Sequence, residues 1–370
     1  MITINGNYTQ ALIYTNELEE SAHKQIADVC NHPAFDGCKV RIMPDVHAGV
    51  GCVIGFTAEM KTDKVIPNLI GVDIGCGVLT AQLKNIPNFS DFDAHLRRAV
   101  PSGHSIRKQI HPLMEADEEL KDEIKRISMD VIKQSPSRPL HSIGSLGGGN
   151  HFIEIAKGEN AAYLCIHSGS RNFGLQIATH YQKVACQTCP DLNLRENMKS
   201  LCYLEGDLTE QYLRDMRVAQ RCAQLNRQAI LQSLVNSDEI IDSFDTVHNY
   251  IADDQIIRKG AVQAHAGQKL IVPLNMRDGS VICVGKGNAD FNNSAPHGAG
   301  RRLSRTKAKE ELSMKEFRAS MQGIFTTCVA QSTLDEAPMA YKDGNDVLSH
   351  ISDTANVLER IYPVYNFKAP

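Results

Sequence analysis

Short apolar runs that stop at a glycine-flanked polar residue constrain this chain more than any other feature of its sequence. Residues 39–42 (KVRI) lead into Met43-Pro44-Asp45-Val46-His47-Ala48-Gly49, and residues 65–69 lead into Gly71-Val72-Asp73-Ile74-Gly75-Cys76-Gly77. The glycine run of residues 145–149 opens onto Asn150, His151 and an apolar stretch to Ile155, and residues 162–166 (AYLCI) deliver His167-Ser168-Gly169-Ser170-Arg171. Runs this short read as strands, and glycine supplies the tight turn that sets a polar side chain at a strand end. Further strands are predicted at 10–14, 78–83, 261–265, 270–272 and 281–284, and a Gly-rich apolar stretch continues through Val53, Ile54 and Phe56.

Helical periodicity interrupts this pattern. Residues 113–134 carry the charged sequence MEADEELKDEIKRISMDVIK, which predicts a helix lying over the core with a solvated face. Residues 208–234 place Tyr212, Met216, Ala219, Ala223 and Ile230 on one helical face, read as core. A further helix is predicted at 347–361, ahead of a tail holding Lys368. Strands and helices alternate without an internal repeat, a low-complexity linker or a shift in composition. The expectation is a mixed α/β fold in a single domain spanning residues 1–370.

Composition excludes several classes. A chain of 370 residues, 42% hydrophobic and 22% charged, can bury a large core. It has no apolar run of membrane-spanning length, and MITINGNYTQ has neither a basic nor an apolar leader segment, so a cytoplasmic protein is expected. Eleven cysteines without disulfide-scaffold spacing fit reduced thiols or metal ligands. A net charge of -4 means that any polyanion site must be a local patch.

One such patch is residues 294–309, SAPHGAGRRLSRTKAK, where His297 precedes the small run Gly298-Ala299-Gly300. Little bulk beside the imidazole lets a phosphorylated group approach, and Arg301, Arg302, Arg305, Lys307 and Lys309 offset its charge. His297 is thus a candidate phosphate-handling nucleophile, the plainer alternative being a turn histidine before a solvated basic helix. A second constellation is Asp73, Cys76, His151, His167 and His248, one carboxylate, one thiol and three imidazoles at strand–turn junctions. Together they suit one or two divalent ions, with zinc, cobalt, manganese and magnesium all open. Residues 145–149 could cradle phosphate but lack a Walker ending, and Cys186-x-x-Cys189 is a zinc or redox half-site without a second pair.

The stretches MPDVHAG, GVDIGCG, GGGNHFIEI, HSGSRNFG, HNY, RKGAVQAHAGQ, HGAGRRLSRTKAK and MAYKD, with Lys368 near the end, resemble in order the RtcB family of GTP-dependent RNA ligases across nearly the whole chain. The resemblance implies an RtcB-like α/β fold with a central metal-binding cleft. It implies that Asp73, Cys76, His151, His167 and His248 hold two manganese ions, with Cys76 shared, and that His297 becomes guanylylated. The guanylate pocket it implies comprises Asn150, His151, Phe152, Ile153, Glu154, His248, Asn249, Pro273, Leu274, Asn275, Met276, Ser280, His297, Gly298, Ala299, Gly300 and Lys368, with Glu154 accepting from guanine N1 and N2. Arg171, Arg301 and Arg302 are candidate RNA phosphate contacts. One departure stands out: Leu274-Asn275-Met276-Arg277 replaces the Gly-Ser-Met-Gly turn of better-known members. Asn275 is read as substituting an amide for a serine hydroxyl, the sharper alternative being a changed nucleotide or RNA-end preference.

The implied reaction joins an RNA 3'-phosphate or 2',3'-cyclic phosphate to a 5'-hydroxyl, in tRNA splicing or RNA repair. The implied partners are GTP, broken tRNA or other structured RNA and, optionally, an activating protein. Two rivals remain at this stage: a metal-dependent RNA-end phosphoesterase that needs no nucleotide, and a non-ligating RNA-repair accessory.

Overall fold

The computed structural model describes residues 1–189, 192 and 198–369. In chain order its strands are β1 (Ile2–Asn5), β2 (Gln10–Ile13), β3 (Val40–His47), β4 (Ile54–Glu59), β5 (Gly77–Leu83), β6 (Phe152–Lys157), β7 (Ala162–Ser168) and β8 (Ile240–Val247). They continue as β9 (Asn249–Ile251), β10 (Ile256–Lys259), β11 (Ala261–Gln263), β12 (Lys269–Asn275), β13 (Gly279–Gly285), β14 (Ser294–Pro296) and β15 (Ala355–Lys368). A six-stranded sheet runs β1-β2-β3-β4-β10-β9, a two-stranded ribbon pairs β11 with β14, and a seven-stranded sheet runs β12-β13-β15-β6-β7-β5-β8. Mixed α/β architecture is thus as the sequence pattern predicts.

The seven-stranded sheet is antiparallel throughout and curls until its two edges meet. Side chains close the seam: the Ile271 N–H of β12 donates to Thr246 Oγ1 of β8 at 3.2 Å, and Lys269 pairs with Asp242 at 2.6 Å. Because successive residues of a strand face opposite ways, each strand divides its side chains between the inside of the curl and the outside. Val78, Ala156, Cys165, Ile271, Ile282 and Ile361 fill the inside. Leu79, Ala81, Ile153, Ile155, Leu164, Ile166, Tyr365 and Phe367 form a separate core on the outer face, covered by Leu96, Ile230 and Leu234.

β15 corrects the expectation of a helix over 347–361. A short helix, Gly344–Ser349, is followed by the 14-residue strand β15, which lies between β13 and β6. Val357, Ile361, Tyr362, Val364 and Tyr365 favour a pleated strand, and Pro363 has no N–H to continue a helix. Pro363 borders a bulge: Pro363 pairs with Ala156 and Tyr365 with Ile155, leaving Val364 as the extra residue. The extra residue reverses the inward phase. Upstream of it Ile361 faces the inside of the curl; downstream Tyr365 and Phe367 face outward, so Asn366 and Lys368 face inward.

The predicted long helix is Asp207–Leu234, with Tyr212, Met216, Ala219, Ala223 and Ile230 all buried. The charged 113–134 segment forms Pro112–Ala116 and Glu118–Arg126 and a final wide turn, Ile127–Val131, burying Leu120, Ile124 and Ile127. Among the described residues no helix is long and apolar enough to cross a membrane.

Candidate active site

One mouth of the curled sheet is a cavity lined by Val78 of β5, Phe152 and Glu154 of β6, His167 of β7, Ser280 of β13, and Asn366 and Lys368 of β15. Its other wall brings Pro273, Leu274 and Asn275 from the end of β12, Met276 beyond it, the turn His297-Gly298-Ala299-Gly300, His47 from the end of β3, and His248, Arg301, Arg305 and Tyr341. Most of the sequence-predicted nucleotide set therefore lies around one space. Ile153 does not: its side chain points into the outer core, as strand alternation requires. Asn249 stands off the cavity, its amide bracing backbone at Asp73 O (3.3 Å) and Gly260 N (2.9 Å).

The predicted metal ligands converge at the edge of this cavity. Cys76 Sγ lies 3.2 Å from His167 Nε2 and 3.5 Å from His151 Nε2, and His151 Nε2 lies 2.9 Å from Asp73 Oδ2. Two trios result, Cys76-His167-His248 and Asp73-Cys76-His151, with ligand atoms in each trio within 4.8 Å of one another. That spread suits donors each roughly 2.0–2.3 Å from a common ion, and Cys76 belongs to both trios. The Nδ1–H of His151 donates to Leu146 O (2.8 Å) and that of His167 to Asn150 O (3.1 Å), which turns each Nε2 lone pair toward the cluster.

Electrostatics agree with a cation site. Burial, reinforced by neighbouring imidazoles, holds His167 and His248 well below the usual histidine range, so both are neutral donors. Burial alone would lift Asp73, but His151 and Arg171 outweigh it and keep its carboxyl below the usual range. Burial and the Asp73 charge push the Cys76 thiol well up. A divalent ion is what such a thiol needs to become a thiolate ligand.

Close backbone approach explains two glycines. A Cβ at Gly147, whose φ is +93°, would stand 1.9 Å from Arg171 Nη1 and 2.7 Å from His151 Nδ1. A Cβ at Gly169 would stand 2.1 Å from Asp73 Oδ1. These two glycines thus leave room for Arg171, His151 and Asp73 to stand against the backbone. Nearby backbone donors are already engaged, with Gly144 N and Ser145 N bonded to Asn226 Oδ1 at 2.8 and 3.1 Å.

Sequence reasoning missed the residues that hold these turns. Asn226 and Arg227, adjacent on the long helix, are completely buried. Arg227 Nη1 donates to Gly75 O and Ser168 O, each at 2.8 Å, while its other nitrogens grip Asp245 at 2.7 and 2.5 Å. One guanidinium therefore ties the Asp73–Cys76 turn to the end of β7. Asp45 was also quoted without a role: its Oδ2 accepts from His297 Nδ1 at 2.6 Å and from the His297 backbone N–H at 3.1 Å. The ring of His297 lies 5.0 Å from that of His248, so the candidate nucleophile borders the metal trio.

A fourth missed residue, Glu336, gathers the cations. It is buried and accepts from Tyr341 OH (2.6 Å), Arg305 (2.6 Å), Arg301 (3.2 Å) and Lys368. Burial would raise its carboxyl, but Lys368 and Arg305 overcome this and hold it at about 2. Arg301 is therefore anchored beside the cavity, whereas Arg302 is exposed and reaches only Met339 O, at 3.4 Å. Arg171, with φ 61°, braces Ser145 Oγ (3.3 Å) and Gly103 O (3.0 Å).

The departing turn is also resolved. Asn275 Oδ1 accepts from Arg277 N (3.0 Å) and Asp278 N (2.9 Å), and its Nδ2 donates to Asp278 Oδ2 (2.7 Å). Its amide thus holds the β12–β13 turn at the cavity wall. Cys186 and Cys189 contact the carbonyls of Lys199 and Tyr203 at 3.5 and 3.3 Å and enter neither metal trio. All eleven cysteines are free thiols.

A mixed α/β sheet curled around a cavity, with a thiol–imidazole–carboxylate cluster beside a carboxylate-held histidine, defines a candidate metal-dependent phosphoryl-transfer site. Residues 25–369 match the family described as tRNA-splicing ligase RtcB. The chain is 31% identical to the RNA-splicing ligase RtcB of Escherichia coli K12, with 92% of each chain covered. It is 27% identical to the tRNA-splicing ligase RtcB of Methanococcus maripaludis, over 95% of this chain and 92% of that one. The chain belongs to the RtcB family of RNA-splicing ligases.

Proposed function

We propose that this RNA ligase uses GTP and two manganese ions to join an RNA 3'-phosphate or 2',3'-cyclic phosphate end to a 5'-hydroxyl end, with residues 1–370 acting as a single ligase domain. The observation that carries this reading is the placement of His297. Its Nδ1 is held by Asp45, leaving Nε2 to act, and the ring stands between the metal trio and the cavity holding Glu154 and Lys368.

His297 Nε2 attacks the α-phosphorus of GTP, forming an N–P bond as the bond to pyrophosphate breaks. Asp45 keeps the ring in the productive tautomer and offsets the charge that develops on it. Asp73, Cys76, His151, His167 and His248 would hold the two ions, whose chemistry is to neutralise charge on the phosphoryl oxygens. The RNA 3'-phosphate then takes the guanylate from His297, and the 5'-hydroxyl of the second strand displaces GMP to leave a phosphodiester. Arg301, anchored by Glu336 on the cavity wall, is the first candidate to meet an RNA phosphate, with exposed Arg302 a second outside the cavity. The chain's substrate in this reading is broken tRNA or another structured RNA, acted on in the cytoplasm.

The test is incubation with α-phosphate-labelled GTP and manganese, followed by denaturing electrophoresis beside a His297→Ala control. Label on the wild type alone, lost in acid and stable in alkali as a phosphoramidate is, supports the reading. Absence of label, with cyclic-phosphate opening that persists in His297→Ala, replaces it with the phosphoesterase reading.

A further inference from the structure

Register places four polar or aromatic side chains together at the cavity floor. β6 and β15 run antiparallel with Phe152 opposite Lys368 and Glu154 opposite Asn366. Directly opposed residues lie on the same face of a sheet, and so do residues two apart along a strand. All four line the cavity, and Asn366 is only 1% exposed.

Asn366 Nδ2 donates to Glu154 Oε2 at 2.8 Å, the amide orientation that a carboxylate at Glu154 selects. Two acceptors remain unsatisfied, Glu154 Oε1 and Asn366 Oδ1, both buried without a hydrogen-bond partner. An isolated buried acceptor is costly, and two on adjacent strands at the floor of one cavity mark a place where a ligand supplies the donors. On the proposed reading the ligand is a guanine nucleotide, whose Watson–Crick edge carries two neighbouring donors, the N1–H and the 2-amino group.

We infer that Asn366 is a specificity-determining residue whose Oδ1 accepts from the guanine 2-amino group while Glu154 Oε1 accepts from N1–H. This inference rests on the guanylate reading of the cavity and adds to it a residue and a division of labour. Lys368, bonded to Glu336 and to Asn150 O (3.3 Å), contributes a cation beside the same floor. The arrangement separates three purines by chemistry alone. Guanine satisfies both acceptors. Hypoxanthine keeps N1–H and lacks the 2-amino group, leaving Asn366 Oδ1 unpaired. Adenine presents an acceptor at N1 and no 2-amino group, and so opposes Glu154 as well. Sites built to bond a polar group discriminate strongly against an analogue lacking it.

Equilibrium binding of GMP, IMP and AMP to the full chain tests this without requiring the covalent step. Wild type is expected to bind GMP at least about 10-fold more tightly than IMP, and IMP more tightly than AMP. In Asn366→Leu the GMP-to-IMP ratio should fall to within about 2-fold, because GMP weakens while IMP does not. In Glu154→Gln both should weaken. A wild-type GMP-to-IMP ratio near one overturns the inference whether or not either variant folds, and so does a ratio that Asn366→Leu leaves unchanged. Covalent labelling at His297 alongside a ratio of one would leave the guanylate reading standing and this assignment refuted. The predicted ratios without any labelling would leave the assignment standing and refute the ligation chemistry.

Discussion

Asp45 Oδ2 lies 2.6 Å from His297 Nδ1, and the same oxygen accepts the His297 backbone N–H at 3.1 Å. A wholly buried carboxylate thus fixes both the ring and the main chain of one residue. Asp45→Asn keeps the shape but no longer enforces the tautomer with the lone pair on Nε2. Guanylylation should slow by about 10²–10⁴-fold, while GMP binding stays within a few-fold of wild type. A labelling rate within threefold of wild type would show that Asp45 is only a packing residue.

Cys76 belongs to both trios of candidate ligands, whereas Asp73 belongs to one. Metal analysis after dialysis should therefore distinguish them: Asp73→Ala keeps one bound ion, and Cys76→Ala loses both. Equal losses in the two variants would contradict a shared thiolate.

Arg227 connects the backbones of Gly75 and Ser168 to Asp245 from a fully buried position. Arg227→Met leaves Asp245 without its partner and two carbonyls without a donor, so unfolding stability should fall by about 3–5 kcal/mol. Because the same turns carry Asp73, Cys76 and His167, manganese affinity should drop by about 10–100-fold in protein that remains folded. Urea unfolding and metal titration check the two effects separately.

Glu336, held at about 2 against an ordinary 4.5, contributes stability that is present above pH 4.5 and lost as pH falls through 2. The depression corresponds to about 3 kcal/mol at neutral pH. Glu336→Gln should therefore be destabilised by that order at pH 7, and the gap to wild type should narrow to about 1 kcal/mol near pH 3. A gap that is constant between these pH values would mean that Glu336 acts through shape and not charge.

Glu154 shifts the other way. Burial outweighs Asn366 and Lys368 and lifts its carboxyl to about 8, so in the empty cavity it is protonated at neutral pH. Acceptance from guanine N1–H requires the carboxylate, so GMP affinity should rise with pH by up to about 10-fold per unit below pH 8 and level off above it. The ligand-free protein should lose stability as pH climbs from 4.5 toward 8 for the same reason. Glu154→Gln should flatten both profiles, measured by calorimetric titration and by thermal unfolding across that range.

Much of the site was legible because its chemistry sits in compact stretches. Asp73 and Cys76 share one turn, and His151, His167 and His248 each end or begin a strand, so local pattern was enough to nominate them. What escaped is long-range. Asn366 meets Glu154 across 212 positions through the register of β6 and β15, and Asp45 meets His297 across 252 where the end of β14 packs on β3. Asn226 and Arg227 lie on a helix whose apolar spacing is satisfied without them, so periodicity classed it as core alone. The 347–361 segment misread as helix shows the limit of local pattern: Val357 and Ile361 within it, and Tyr362 and Val364 just beyond, carried a strand signal, but the bulge that turns Asn366 inward depends on β6.

β15 is the last strand of its sheet to be made and yet lies in the middle of it, between β13 and β6. Synthesised from the N-terminus, the chain has every other strand of that sheet before this one exists, and until it docks β12-β13 and β6-β7-β5-β8 are two open pieces with unpaired edges. Asn366 and Lys368 arrive on its final residues. The candidate metal ligands, all upstream of residue 249, could assemble on a nascent chain; the cavity floor could not. A ribosome stalled a few dozen codons early would therefore display a polypeptide that has the thiol–imidazole–carboxylate cluster while lacking the cavity floor.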